Sequence, residues 1–198
     1  MEGYHGTKPQ SVKDILEAKC INIKKFEITG DGIIKPNQSL PNDLGQGLYL
    51  FIDDMDKGYQ GLENAKCYAR IYRNSSGKIG VIKFKIDCED LTILNLTNSE
   101  SIKFFNQYKE SLYGRIENSL KRLKKNRALD RYNLDGIFLE HLLHYHPKFK
   151  NIDAVSYDSY IPRTSDKPIS SVPNGKEICL RNIGLIDWSM TEEVYYGS

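Results

Sequence analysis

Apolar positions recur along most of this chain with a readable period, and the period changes from one segment to the next. After an opening Gly3-Tyr4-His5-Gly6-Thr7 segment, Val12, Ile15, Leu16 and Lys19 trace a helical stripe. Ser11 followed by Asp14 resembles a capping box for that helix. Residues 26–43 are rich in Gly, Pro and Asn and read as a long loop, a kind of segment that is commonly functional or mobile. Gly45-Gln46-Gly47 then leads into an apolar strand, Leu48-Tyr49-Leu50-Phe51. A helix is predicted over 61–71, with Ala65, Tyr68 and Ala69 on one side, followed by a turn at Asn74-Ser75-Ser76-Gly77. Residues 78–86 alternate at period two and predict a strand, with 91–96 as its expected partner.

Further along, Ile102, Phe105, Tyr108, Leu112, Ile116, Leu120 and Leu123 fall on one face of a helix predicted over 99–127. A second helical stretch covers 134–145 and stops before Pro147. Residues 152–160 read as a strand, and 161–176, with three prolines, as a polar loop. The last predicted strand runs from Glu177 to Asn182 and on toward Ile186. Strands and helices do not alternate regularly, which argues for an α+β fold with a mixed or antiparallel sheet. No repeat or linker divides the chain, so 1–198 is read as one domain.

Composition narrows the class without naming a function. Hydrophobic residues make up 39% and charged residues 27%, an ordinary mix for a soluble globular chain. A formal net charge of +2 neither demands nor excludes a nucleic-acid partner. No apolar run is long enough to span a bilayer, and the N-terminus has no basic region followed by an apolar stretch; a cytoplasmic, non-membrane protein is the expectation. Cys20, Cys67, Cys88 and Cys179 are widely spaced and form no C-x-x-C pair, so neither a structural zinc site nor a disulfide framework is expected. The last three lie in apolar or strand-like contexts, where a reduced Cys acts as a small hydrophobe. Glu140, His141 and His144 lie close together but lack the H-E-x-x-H arrangement, and no metal is expected. The cations Lys121, Arg122, Lys124, Lys125 and Arg127 suit a helix C-terminus and a solvated face; a contact with nucleic acid or acidic protein is the other reading.

Three segments carry candidate chemistry: Tyr4-His5-Gly6-Thr7, Gly45-Gln46-Gly47-Leu48-Tyr49-Leu50, and Gly175-Lys176-Glu177-Ile178-Cys179-Leu180. Singly, each has an ordinary explanation as a packing histidine, a turn or a solvated glutamate. The dinucleotide G-x-G-x-x-G pattern is absent, since Leu50 stands where its third glycine would fall. In this order and spacing, however, the segments resemble the His-Tyr-Glu branch of the ADP-ribosyltransferase superfamily, that of diphtheria toxin and the poly(ADP-ribose) polymerases. The resemblance spans most of the chain through scattered motifs.

The resemblance implies an ADP-ribosyltransferase-like split sheet with flanking helices, and NAD as co-substrate. It implies that His5 hydrogen-bonds a ribose hydroxyl of NAD, that the Gly6 backbone pairs with the nicotinamide carboxamide, and that Thr7 belongs to the same binding strand. Tyr49 would stack on the nicotinamide ring, Tyr68 would form the second aromatic wall, and Glu177 would be the catalytic carboxylate. Cleaving the nicotinamide–ribose bond develops positive charge on the sugar, which a carboxylate held beside it stabilises. Gly175 stands where arginine-modifying members carry a second Glu, so arginine modification is disfavoured. The loop before Glu177 would recognise the acceptor and offers Tyr157, Tyr160, Arg163 and Lys167.

Mono-ADP-ribosyl transfer to a macromolecular acceptor, nucleic acid or protein, is the leading expectation. Small toxins and defence effectors of this kind suggest that a neutralising partner protein exists. NAD hydrolysis, RNA 2′-phosphotransfer and an inactive NAD- or nucleotide-binding module are the alternatives. The phosphotransfer reading leaves Glu177 unexplained and needs an arginine set that the sequence does not place.

Overall fold

The structure is a computed structural model that describes residues 1–73, 77–124, 133–164 and 170–197. Seven strands form one mixed sheet in the order β4-β5-β6-β2-β1-β3-β7. They are β1 (Glu2–Thr7), β2 (Leu48–Ile52), β3 (Ile79–Ile86), β4 (Ile93–Asn95), β5 (Ala154–Ser159), β6 (Gly175–Leu180) and β7 (Ile186–Gly197). Helices α1 (Pro9–Ala18), α2 (Gly61–Tyr72), α3 (Ser99–Arg122) and α4 (Asn133–Tyr145) flank it. The architecture is mixed α and β, compatible with the α+β expectation.

Strand alternation assigns the faces. Leu48, Leu50 and Ile52 of β2, with Ile178 and Leu180 of β6, point to one face and pack with Val12 of α1. Tyr49, Phe51, Glu177 and Cys179 share the opposite face, as their cross-strand pairing requires. That second face carries two apolar clusters. Cys179 and Val155 join α3, α4 and the loop residues Phe26, Ile28, Ile34 and Leu44. Phe51 and Val81 join Ala65 of α2 and Ile161.

Several elements form where the hydrophobic pattern predicts them, but their pairing does not always follow. Residues 91–96 do not pair with β3. Both edges of β3 are already occupied, by β1 and β7, so β4 instead runs parallel to β5, with Leu94 opposite Val155. The final strand β7 is absent from the sequence reading, which carries β6 on toward Ile186. Two register shifts in the β3–β7 pairing explain this, because bulges destroy the period-two pattern. Ser11 does not cap α1. The helix starts at Pro9, whose fixed φ and missing N–H suit a first turn, and Lys8 is the cap residue without a side-chain bond. Asn98 does cap α3, accepting from the Glu100 and Ser101 N–H groups at 2.8 and 3.3 Å. The predicted turn at 74–76 and the end of the long helix at 125–127 lie outside the described residues.

The 26–43 loop is held to the helices rather than draped over them. Ser119 Oγ accepts from Ile34 N at 2.8 Å, and Tyr145 Oη donates to Ile28 O at 2.7 Å. The loop also passes very close to α4 at Gly136, where an added Cβ would lie 1.6 Å from Asn42 O. Backbone cannot yield cheaply there, so Gly136→Ala is expected to cost about 3 kcal/mol of unfolding free energy. Urea denaturation of the variant checks this. A midpoint equal to wild type would mean that the loop is free to move away from the helix.

Candidate active site

β1 pairs with β3 along all of Glu2–Thr7, but with β2 only at Tyr4, opposite Phe51. Among the described residues the two strands share no further registered pair. The His5 ring bridges the seam between β1 and β2: Nδ1 lies 2.8 Å from Tyr49 O. A carbonyl can only accept, so Nδ1 carries the proton and neutral His5 leaves Nε2 as an acceptor. Burial lowers the His5 pKa, the Tyr49 bond works the other way, and the charge of Arg73 lowers it further. His5 is half-buried, and alternation sets its Cβ on the α1 face, away from Glu177.

Gly6 is buried beneath α2. An added Cβ would stand 2.0 Å from Ala65 O, so glycine here lets the helix cross the strand at close range. Thr7 is buried opposite Gly80, on the same side of β1 as His5. The Gly45-Gln46-Gly47 turn also has packing reasons. Gly45 has φ +88°, and a Cβ on Gly47 would lie 2.5 Å from Leu180 O.

Tyr49 is half-buried and fixed at both ends. Its hydroxyl donates to Gly45 O at 2.9 Å and accepts from Leu44 N at 2.9 Å. Burial pushes its pKa up, as it does that of Tyr68. Tyr68 packs against Phe51 with ring centroids 5.7 Å apart. Phe51 pairs directly with Glu177 on the neighbouring strand. Glu177 therefore lies at the boundary between the α2 cluster and the α3–α4 cluster, with Tyr68 and Tyr49 on either side.

The Glu177 carboxyl is half-buried and accepts a hydrogen bond from Ser159 Oγ on β5. Burial raises its pKa to about 7, the charge of Asp43 adds to this, and Ser159 opposes it. Asp43 accepts from its neighbour Leu44 N at 3.1 Å, next to the Tyr49 hydroxyl, and burial raises its pKa too. The structure thus brings Tyr49, Tyr68 and Glu177 to one place, with His5 reaching the Tyr49 backbone from the other side of the seam.

Asp43, Ser159 and Arg73 join the site without having been singled out in the sequence. Asp43 ends a loop with no periodicity. Ser159 is identified only by strand register, which sets it opposite Gly175, one diagonal step from Glu177. Arg73, at the end of α2, places its guanidinium 5.7 Å from the Tyr68 ring centroid.

Tyr157 stands opposite Glu177 and is 45% exposed. Tyr160 is half-buried, and exposed Arg163 contacts Cys67 Sγ at 3.4 Å. Lys167 lies outside the described residues. Gly175 is buried, and a Cβ there would meet Ile161 Cδ1 at 2.3 Å and Asn64 Nδ2 at 2.4 Å. A second carboxylate two residues before Glu177 has no room. Lys121, exposed near the end of α3, pairs with Glu117 at 3.0 Å.

Glu140 is only 1% exposed and forms a bidentate pair with Arg181. It also accepts from Gln46 N at 2.6 Å, which ties the glycine turn to α4. Both ring nitrogens of His141 are bonded, to Tyr108 Oη at 2.7 Å and Gly30 O at 3.0 Å. Among the described residues no group of three or more His, Cys, Asp or Glu is arranged to hold a metal ion. All four cysteines are free thiols. Only Cys179 is buried; Cys88 is exposed at the end of β3 and is not the small core hydrophobe its surroundings in sequence predict.

Two open depressions lie elsewhere, one of about 480 Å³ beside Met1, Lys85 and Leu185 and one of about 420 Å³ between α3 and α4. Neither is lined by His5, Tyr49 or Glu177. No described helix is long and apolar enough to cross a membrane. No known family model matches this chain, and a search of curated proteins finds none similar to it.

Proposed function

We propose that the protein is a mono-ADP-ribosyltransferase of the His-Tyr-Glu type, which cleaves NAD and passes ADP-ribose to a nucleic-acid or protein acceptor. The observation that carries this reading is the half-buried Glu177 flanked by Tyr49 and Tyr68 at an opened strand seam. Few roles other than binding or catalysis account for a half-buried carboxylate to which, among the described residues, no cation is bonded. The single β1–β2 pair is also what a split sheet requires.

In this reading the nicotinamide ring enters between the two tyrosines, where aromatic faces attract its positive charge. His5 Nε2 accepts from a ribose hydroxyl. The unpaired stretch of the seam beside Gly6 receives the carboxamide. Glu177, oriented by Ser159, stabilises the positive charge that grows on the ribose as nicotinamide leaves. Tight packing at Gly175 fits acceptors other than arginine. The toxin or effector setting, a cytoplasmic location and a neutralising partner protein belong to the same proposal.

The direct test incubates the purified protein with labelled NAD and a cell lysate, with Glu177→Ala beside it. Free nicotinamide is followed together with label in the protein and nucleic-acid fractions. Transfer predicts nicotinamide release with label in one fraction, both lost in the variant. Release without label would identify a glycohydrolase, and no release from wild type would leave only a binding module.

A pH profile adds a second check. Glu177 must be ionised to act, and it titrates near 7 in the free protein. kcat/KM for NAD is therefore expected to rise from pH 6 to a plateau above about pH 8. A profile flat across that range would remove Glu177 from the chemistry.

A further inference from the structure

We propose that Arg73 is the anchor for the diphosphate of the dinucleotide, so that the charge pattern of the site fixes the direction in which the ligand lies. This assignment rests on the functional reading above and extends it to a second part of the ligand.

Glu177 and Asp43 make the end of the site beside Tyr49 acidic. Beside Tyr68, α2 closes with Arg73, whose backbone N–H caps Ala69 O at 2.8 Å. Its guanidinium lies over the Tyr68 ring at 5.7 Å, and Nη2 reaches Tyr68 Oη at 3.5 Å. Its charge is also felt at His5. Arg73 is therefore turned toward Tyr68, which would hold the nicotinamide ring.

A cation at a helix C-terminus has an ordinary explanation in the helix dipole, but that explanation does not select this direction. Nor does a carboxylate claim the side chain. Among the described residues no acid pairs with Arg73, whereas Lys57, Lys66, Lys83, Lys109, Lys121, Lys176 and Arg181 each have one. The planar fork of a guanidinium is suited to bidentate recognition of phosphate oxygens, and the contact with Tyr68 helps to orient that fork. NAD has the matching polarity, a cationic nicotinamide at one end and an anionic diphosphate further along. The acidic end takes the first and Arg73 the second.

The test is calorimetric titration of the full chain and of Arg73→Gln with NAD, ADP-ribose, adenosine and nicotinamide. The anchor predicts that the variant binds NAD and ADP-ribose about tenfold or more weakly, with adenosine and nicotinamide unaffected. Arg73→Lys should recover part of the loss. Melting temperatures should be equal, since the side chain is exposed. Equal loss for adenosine and ADP-ribose would overturn the assignment in favour of a stacking or structural role. Unchanged ADP-ribose affinity alongside normal nicotinamide release would remove the anchor and leave the proposed function standing. Failure of wild type both to bind ADP-ribose and to release nicotinamide would remove both.

Discussion

Replacing Glu177 by glutamine is expected to reduce NAD cleavage on the order of 10³-fold, with NAD affinity changed no more than about threefold. The reason is the timing of the charge. Ground-state NAD offers the carboxylate a pyridinium held largely by stacking, whereas the ribose becomes cationic only as the bond to nicotinamide breaks. Glutamine keeps the shape and the Ser159 contact but carries no charge. The loss should therefore fall on kcat, and equal losses in binding and turnover would contradict the assignment.

The same substitution makes a stability prediction of the opposite sign. Burial raises the Glu177 pKa from its ordinary 4.5 to about 7. Between those values the folded chain holds a proton that the unfolded chain releases. The stability associated with Glu177 is complete below about pH 4.5 and is lost as pH rises through about 7. Glutamine does not ionise, so Glu177→Gln should be the more stable protein at pH 8, by roughly 2 kcal/mol after allowing for partial solvent access. The two melting temperatures should converge near pH 5. Thermal scans at both pH values check this, and a variant less stable at pH 8 would mean that the carboxylate is favourably paired in the free protein. Lower activity with higher stability is expected of a residue placed for chemistry rather than for folding.

Breaking the Glu140–Arg181 pair is expected to be the most damaging single change to stability. Glu140 is 1% exposed, and its two oxygens are shared between the guanidinium and Gln46 N–H. Arg181→Met leaves a buried carboxylate with backbone donation as its main support, at a cost of about 3–5 kcal/mol. For a chain of this size that is roughly a 10 °C fall in melting temperature. The double variant Glu140→Leu, Arg181→Met removes both charges together and should regain most of the loss. A double variant as unstable as the single one would show that the pair matters mainly through its bonds to the glycine turn. Because that turn leads into Tyr49, the single variant should lose nicotinamide release as well.

The parts of this molecule that were legible in sequence are those governed by local rules. Ala65 and Ala69 mark the buried side of α2, and both are fully buried. Phe105, Leu112, Ile116 and Leu120 fall on one face of α3 and enter the core, whereas Ile102 on the same stripe is 37% exposed because it lies in the first turn, away from the core. Pairing was not legible. Residues 91–96 have the composition of a strand, but whether an edge of β3 was free for them depended on β7, a strand whose bulges hide it from pattern analysis.

The candidate site divides along the same line. The sequence by itself determined the residue types and their order: a histidine in a glycine-bounded segment, a tyrosine after a glycine turn, a late glutamate before an apolar run. Their backbone environment follows from short-range sterics, since Gly6 and Gly47 stand where no larger residue fits. Tertiary structure alone decided that Glu177 is half-buried, that Ser159 donates to it, that Asp43 raises its pKa further and that Arg73 turns toward Tyr68. These depend on strand register and on where a long loop is pinned. Both are set by contacts between residues distant in the chain, which no local pattern records.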